Sequence, residues 1–231
     1  MNKNKRFCMP VVAGAVVTAL SAIAGTAAAA SPGFYMAGTI GQSSIDIKSS
    51  DQEALDEILI DTWNELGFDV LDGESDVEKT DIGFELALGY QISPYFAVEA
   101  AYIDLGQATY DAEGVVDNGT GPMDAETEIT AGVKGPALSL VASWPFAGQW
   151  ALDARAGALF GKSRLGVTME LDGEEVSESE TDSKTSMFYG VGVSWSFSER
   201  TSLRLGYTHF PDGVADEFNV SRVSAGLKIS F

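Results

Sequence analysis

Seven charged side chains recur at alternate positions in stretches otherwise built of apolar and small residues: Glu85, Glu99, Asp153, Arg155, Arg204, Arg222 and Lys228. Acids and bases turned into one enclosed, poorly hydrated space must pair or change their ionisation. The chemistry on offer is therefore ion pairing inside a structure, which can lock it together. Catalytic chemistry is poorly supplied. The only histidine, His209, stands in Tyr207-Thr208-His209-Phe210 without a His-x-Ser string, and its parity turns it outward. A lipid-modifying enzyme of the His-Ser-acid kind is a formal rival only, and no catalytic residue is assigned. No glycine-rich phosphate loop, metal-ligand cluster or D-x-[DN]-x-[DN]-G calcium spacing occurs, so neither cofactor nor resident metal is expected.

The elements that must position these charges are strands. In 83–106, GFELALGYQISPYFAVEAAYIDLG, two alternating arms flank the turn Ser93-Pro94-Tyr95. Phe84, Leu86, Leu88 and Tyr90 share one face of the first arm, while Glu85, Ala87, Gly89 and Gln91 share the other. Phe96, Val98, Ala100 and Tyr102 alternate in the same way with Ala97, Glu99 and Ala101. The same period of two marks strands beginning at Gly33, Gly135, Trp150, Tyr189, Leu203 and Arg222. That predicts eight strands, with three short turns alternating with four longer loops.

The fold class expected is all-β, an eight-stranded antiparallel up-and-down transmembrane barrel with apolar residues outside and small or polar residues inside. Its lumen should hold the seven charges. Aromatic residues gather beside the short turns, at Tyr90, Phe96, Trp144, Trp150, Trp195, Phe197 and Phe231, and read as an interfacial girdle. A soluble barrel would show the inverse pattern, apolar inside and polar outside. Residues 1–30 read as a secretory signal: Lys3, Lys5 and Arg6 precede an apolar run that is too short to span a membrane and ends in Ala28-Ala29-Ala30. Residues 31–231 form the barrel domain. Removing the signal takes away the only cysteine, Cys8, and leaves 11 basic against 34 acidic side chains. That sign excludes a nucleic-acid partner.

The strings GFYMAGTIGQSSID, GYQISPYFAVEAAYIDLG, SFSERTSLRLGYTHF and SAGLKISF resemble the OmpA-like transmembrane domain family of Gram-negative outer membranes, over nearly all of 31–231. The resemblance implies an integral outer-membrane protein in contact with lipid and lipopolysaccharide, with periplasmic termini and extracellular long loops. It implies that the C-terminal strand ending at Phe231 is read by the barrel-assembly machinery. It also implies that Glu99 and Arg204 correspond to a glutamate and arginine that gate a narrow water path. The family's further lysine and glutamate partners fall near Val141 and Ser194, a reduced network, so a static ion-pair plug stands beside the gate as a reading. The resemblance does not extend to the peptidoglycan-binding domain that often follows such a barrel, so cell-wall anchoring is not expected.

The four long loops, 46–79, 111–128, 164–184 and 211–219, carry 28 of the 34 carboxylates. They offer either a surface for divalent cations and recognition of another protein, or simply a solvated face. The first holds a predicted helix: Ser50 and Glu53 have capping-box spacing, Leu55, Ile58, Leu59, Thr62 and Leu66 recur at helical intervals, and Gly67 suits a C-cap. Two functions follow from different classes: a structural barrel with a narrow ion-pair-controlled path, or a surface adhesion protein acting through acidic loops.

Overall fold

The computed structural model describes residues 32–46, 49–172, 174–214 and 218–231. The expected signal at 1–30, the Ser50 cap side chain and most of the fourth long loop lie outside the described residues or side chains. The elements are β1 (Gly33–Ile45), α1 (Ser49–Glu65), β2 (Asp69–Glu78), β3 (Thr80–Ser93), β4 (Phe96–Asp117), β5 (Pro122–Ala147), β6 (Trp150–Leu171), β7 (Glu174–Ser196), β8 (Thr201–Val214) and β9 (Phe218–Ser230).

Eight of these strands form an antiparallel ring in the order β1-β3-β4-β5-β6-β7-β8-β9, closed where β9 pairs with β1 from Tyr35↔Ser230 to Ile45↔Val220. Closure removes the unpaired backbone edges that lipid cannot hydrate. The side-chain alternation follows the ring. Phe34, Met36, Leu86, Leu88, Leu138, Leu140, Leu152, Val191 and Val223 are exposed on the outer wall, whereas Ala37, Ala87, Ala97, Ala101 and Ala137 are buried within. From Trp150 to Phe160 the outer wall of β6 rises about 33 Å along the strand, or about 25 Å once tilted, the height of an apolar band.

An aromatic belt bounds the band at each end. Beside the short turns, Trp150 stacks on Trp195 at 5.9 Å, Trp195 meets Phe197 at 5.8 Å and Phe34 meets Tyr90 at 5.0 Å. Trp144 and Phe231 are exposed there. At the far end Phe84 stacks on Tyr102, and Tyr189 meets His209 at a tilt.

The long loops need correcting. β4 and β5 stay paired to Asp117↔Pro122, and β6 and β7 to Leu171↔Glu174, well past the apolar band. Residues 111–117, 122–128, 164–171 and 174–184 are therefore strand continuations rather than loops. Along 174–183 both faces meet water and the apolar alternation fades, whereas 111–128 buries Val116 and Ala125 on one face; the backbone ladder persists through both. β2 joins this projecting sheet, pairing with the outer half of β4 from Asp69↔Asp117 to Glu78↔Thr109. The sheet stands clear of the band as five strands, β2-β4-β5-β6-β7.

Helix α1 lies against that sheet. Trp63 is buried among Val116, Ala125, Leu59 and Phe68. The expected apolar stripe is only half right: Ile58 and Leu66 are exposed, and Trp63 is the anchor instead. Gly67, at φ +89°, ends the helix, with its N–H donated to Asn64 O and Phe68 N–H to Trp63 O, both at 3.0 Å. This paired closure brings Phe68 edge-on to Trp63 at 5.6 Å, the apolar contact expected of such a cap.

Candidate functional site in the barrel interior

The two glutamates sit on adjacent strands of the ring and their partners come from three other strands. Glu85 on β3 and Glu99 on β4 are buried, and arginines from β6, β8 and β9 reach across to them. Arg155 Nη1 lies 2.7 Å from Glu85 Oε1, and Arg222 Nη1 donates to Glu85 Oε2 at 3.2 Å. Arg204 Nη1 donates to Glu99 Oε1 at 2.8 Å, and the Tyr35 hydroxyl donates to the same oxygen at 2.7 Å. Arg155 Nε sits 3.6 Å from Glu99 Oε2 and donates to Ser139 Oγ at 3.0 Å, tying the two carboxylates into one knot. Arg222 is also held by Thr39 Oγ1 at 3.2 Å.

Asp153 stands to one side of the knot. Ser143 Oγ donates to one of its oxygens at 2.6 Å and Ser194 Oγ to the other. Ser194, the position where the resemblance shows a departure, is thus the Asp153 partner. Lys228 donates to Gln91 Oε1 at 3.0 Å and lies over the Tyr35 ring at 3.8 Å from its centroid, on the short-turn side. All seven charges therefore face the interior, and five of them meet in a single cluster.

The small residues of the inner face are what make room. A Cβ at Gly89 would overlap the Tyr35 ring, and one at Gly157 would reach within 2.6 Å of Phe188. With those glycines in place, Tyr35 lies across to Glu99 and Phe188 lies beneath Arg155, whose guanidinium carbon is 4.9 Å from the ring centroid. Such a cation over a ring face is itself favourable.

Sequence reasoning missed what lies on the loopward side of the cluster. On six of the eight ring strands the inner face at that level is apolar: Ile103 and Leu105 on β4, Val133 on β5, Leu159 on β6, Phe188 on β7, Phe210 on β8 and Val220 on β9. Phe188 and Phe210 touch at 5.2 Å between centroids, and Ile103 and Leu159 have no exposed surface. The signal was available, since Phe188 and Phe210 continue the inward parity of Gly190 and Thr208. A cavity of about 50 Å³ beside Thr39, Asp153, Arg155 and Arg204 has room for a few waters.

On the outer wall His209 Nδ1 lies 3.1 Å from Ser221 Oγ, which also bonds the Tyr207 hydroxyl at 2.8 Å. The pairing is between neighbouring strands and could not be read from a contiguous motif. Among the described residues no carboxylate is hydrogen-bonded to His209, and no group of three or more His, Cys, Asp or Glu side chains is placed to hold a metal ion.

The family model for the outer membrane protein beta-barrel domain matches residues 14–231. No curated protein matches the chain in sequence. Among solved structures the chain is similar to Neisserial surface protein A, at 14% identity and a TM-score of 0.42, covering 86% of this chain and 97% of that one. It is similar to the N-terminal beta-barrel domain of Pseudomonas aeruginosa OprF, at 8% identity and 0.43, covering 86% and 98%. It is also similar to Ail, the attachment invasion locus protein of Yersinia pestis, solved in complex with the heparin analogue sucrose octasulfate, at 14% identity and 0.38, covering 86% and 99%. By the family match over nearly its whole length, and by a closed ring of eight strands with an apolar outer wall, the chain belongs to the outer membrane protein beta-barrel domain family.

Proposed function

We propose that the protein is a structural barrel of the outer membrane with a closed lumen, in which Glu99 and Arg204 form a fixed strut. The observation that carries this is the apolar layer of Ile103, Leu159, Phe188 and Phe210 stacked loopward of the ion-pair cluster. A water path controlled by the Glu99 and Arg204 pair would still have to cross that layer, which swinging one arginine does not displace. The 50 Å³ cavity beside Arg155 and Arg204 favours a second reading, a narrow path gated by the pair. Single-channel recording of the refolded protein in a planar bilayer separates them. A silent bilayer with a heat-modifiable, folded band on a gel is expected; discrete openings altered by Arg204→Ala would establish the gate instead.

The proposal puts the chain ends and three short turns in the periplasm and the projecting sheet outside the cell. The leader-like segment and the family resemblance support that orientation. Phe231, exposed with its N–H on Phe34 O at 3.0 Å, is the residue that the assembly machinery would read. Lipid and lipopolysaccharide acyl chains meet the apolar wall between the belts. Divalent cations would gather at the acidic projections as a diffuse atmosphere; a stoichiometric calorimetric isotherm with millimolar calcium would overturn that. The protein is not an enzyme in this reading: Tyr207, Ser221 and His209 lock β8 to β9 at the upper belt, without an acid to orient the imidazole.

A further inference from the structure

We infer that the outer edge of β7 between Glu174 and Ser183 is a docking site for an extended basic polypeptide, which adds to the projecting sheet as a further strand. This goes beyond the closed-lumen reading and does not depend on it.

The edge is defined by where pairing stops. β7 is bonded to β6 along its whole length, but to β8 only from Tyr189↔His209 to Ser196↔Ser202. Among the described residues no strand lies on the other side of 174–183, and all ten side chains there are exposed. A strand of this length presents a row of backbone donors and acceptors with no ladder partner, which is how strand addition begins. The stretch contains neither proline nor glycine, so its backbone does not block an incoming strand.

Charge selects the occupant. Glu174, Glu178, Glu180 and Asp182 fall on one face of β7 at even positions. On the other face Glu175 ends a cross-strand ladder in which Glu74, Glu113, Glu126, Glu170 and Glu175 stand directly opposite one another across β2, β4, β5, β6 and β7. Neighbouring carboxylates in such a ladder are about 5 Å apart and repel. The sheet's other free edge, β2, carries Asp69, Asp72, Glu74, Asp76 and Glu78, so edge-to-edge pairing of two copies would set acid against acid. A second copy is thereby disfavoured, and a nucleic acid is repelled outright. A strand with lysine or arginine at every second residue meets Glu178, Glu180 and Asp182 in register, each about 7 Å from the next.

The test uses the full chain in detergent micelles and a synthetic ten-residue peptide of alternating lysine and threonine. Binding should slow amide exchange across 174–183. The same peptide methylated at every backbone nitrogen keeps its charges and loses its donors, and should bind about tenfold more weakly or worse. The variant Glu178→Gln, Glu180→Gln, Asp182→Asn should also lose about tenfold in affinity while keeping its heat-modifiable gel mobility, since each exposed pair contributes modestly. Equal binding of the methylated peptide would reduce the site to charge attraction and overturn strand addition. Protection appearing elsewhere, or none at millimolar peptide, would overturn it as well.

Discussion

Arg204 on β8 spans the barrel to donate to Glu99 on β4 at 2.8 Å, and Tyr35 donates to the same carboxylate oxygen from the short-turn side. The side chain of Glu99 has no exposed surface. Glu99→Ala should therefore leave the Arg204 charge buried without its partner, at a cost of about 3–5 kcal/mol in urea-dependent unfolding. Replacing both residues with apolar ones, Glu99→Leu with Arg204→Met, should recover most of that loss. A double variant as weak as the single one would show that the pair does not act as a strut.

The apolar layer, rather than the ion pair, should determine whether the lumen conducts. Arg204→Ala is expected to stay silent in a planar bilayer. The triple variant Leu159→Ala, Phe188→Ala, Phe210→Ala should give openings, because it removes the side chains that close the section above the cluster. Each of those truncations leaves a void costing about 2–5 kcal/mol, so the folded band on a gel must be checked first.

Gly89 carries a sharp constraint, because a methyl group there would overlap the Tyr35 ring. Gly89→Ala should cost about 1–3 kcal/mol through overpacking. Adding Tyr35→Ala to Gly89→Ala should cost less than the sum of the two single changes, a coupling that a double-mutant cycle reads directly.

The helix should be separable from the barrel. Deleting residues 51–70 is expected to leave gel mobility and heat modification intact, because α1 packs on the projecting sheet and the start of β2 pairs with the outer half of β4. Docking should also respond to pH through Tyr110, whose hydroxyl donates to Asp56 at 2.5 Å. Burial first and then the Asp56 carboxylate push the Tyr110 pKa up from 10.0 to about 12. The protonated form is favoured in the docked state, so its contribution is complete below pH about 10 and is lost as the pH rises through about 12. Limited proteolysis within 49–67 should accelerate over that window, and Tyr110→Phe should remove the dependence.

Charge repulsion should limit the projecting sheet. Glu126 has Glu113 opposite it on one side and Glu170 on the other. Glu126→Lys should stabilise the sheet by about 0.5–1 kcal/mol against local unfolding, seen as slower amide exchange in β4 and β6. The gain should shrink as salt is raised.

The ring of strands was legible because a lipid-facing wall and a small-residue interior force a strict period of two, as in Leu86-Ala87-Leu88-Gly89. The charged interior was legible by the same parity, since Glu85, Glu99, Arg155 and Arg204 can face only inward. Pairing partners were not, because Tyr35 reaches Glu99 across 64 positions and Arg222 reaches Glu85 across 137. The projecting sheet was hidden for a different reason. Once a strand is wet on both faces its sequence no longer alternates in polarity, so stretches such as Glu174-Glu175-Val176-Ser177 read as loop. One local cue was present: the turn-forming pair Asp172-Gly173 stands in the sequence between Leu171 and Glu174, and Asp172 has φ 50° just past the end of β6.

The strand pair β6 and β7 runs eleven residues beyond Phe160, to Leu171. At about 3.3 Å per residue and a barrel tilt of about 40°, its tip stands some 28 Å above Phe160 at the top of the outer wall. That reach matches the thickness of the membrane-embedded wall itself, so the molecule is half mast and half cask. Anything approaching the bilayer at this point meets a negatively charged palisade before it meets lipid.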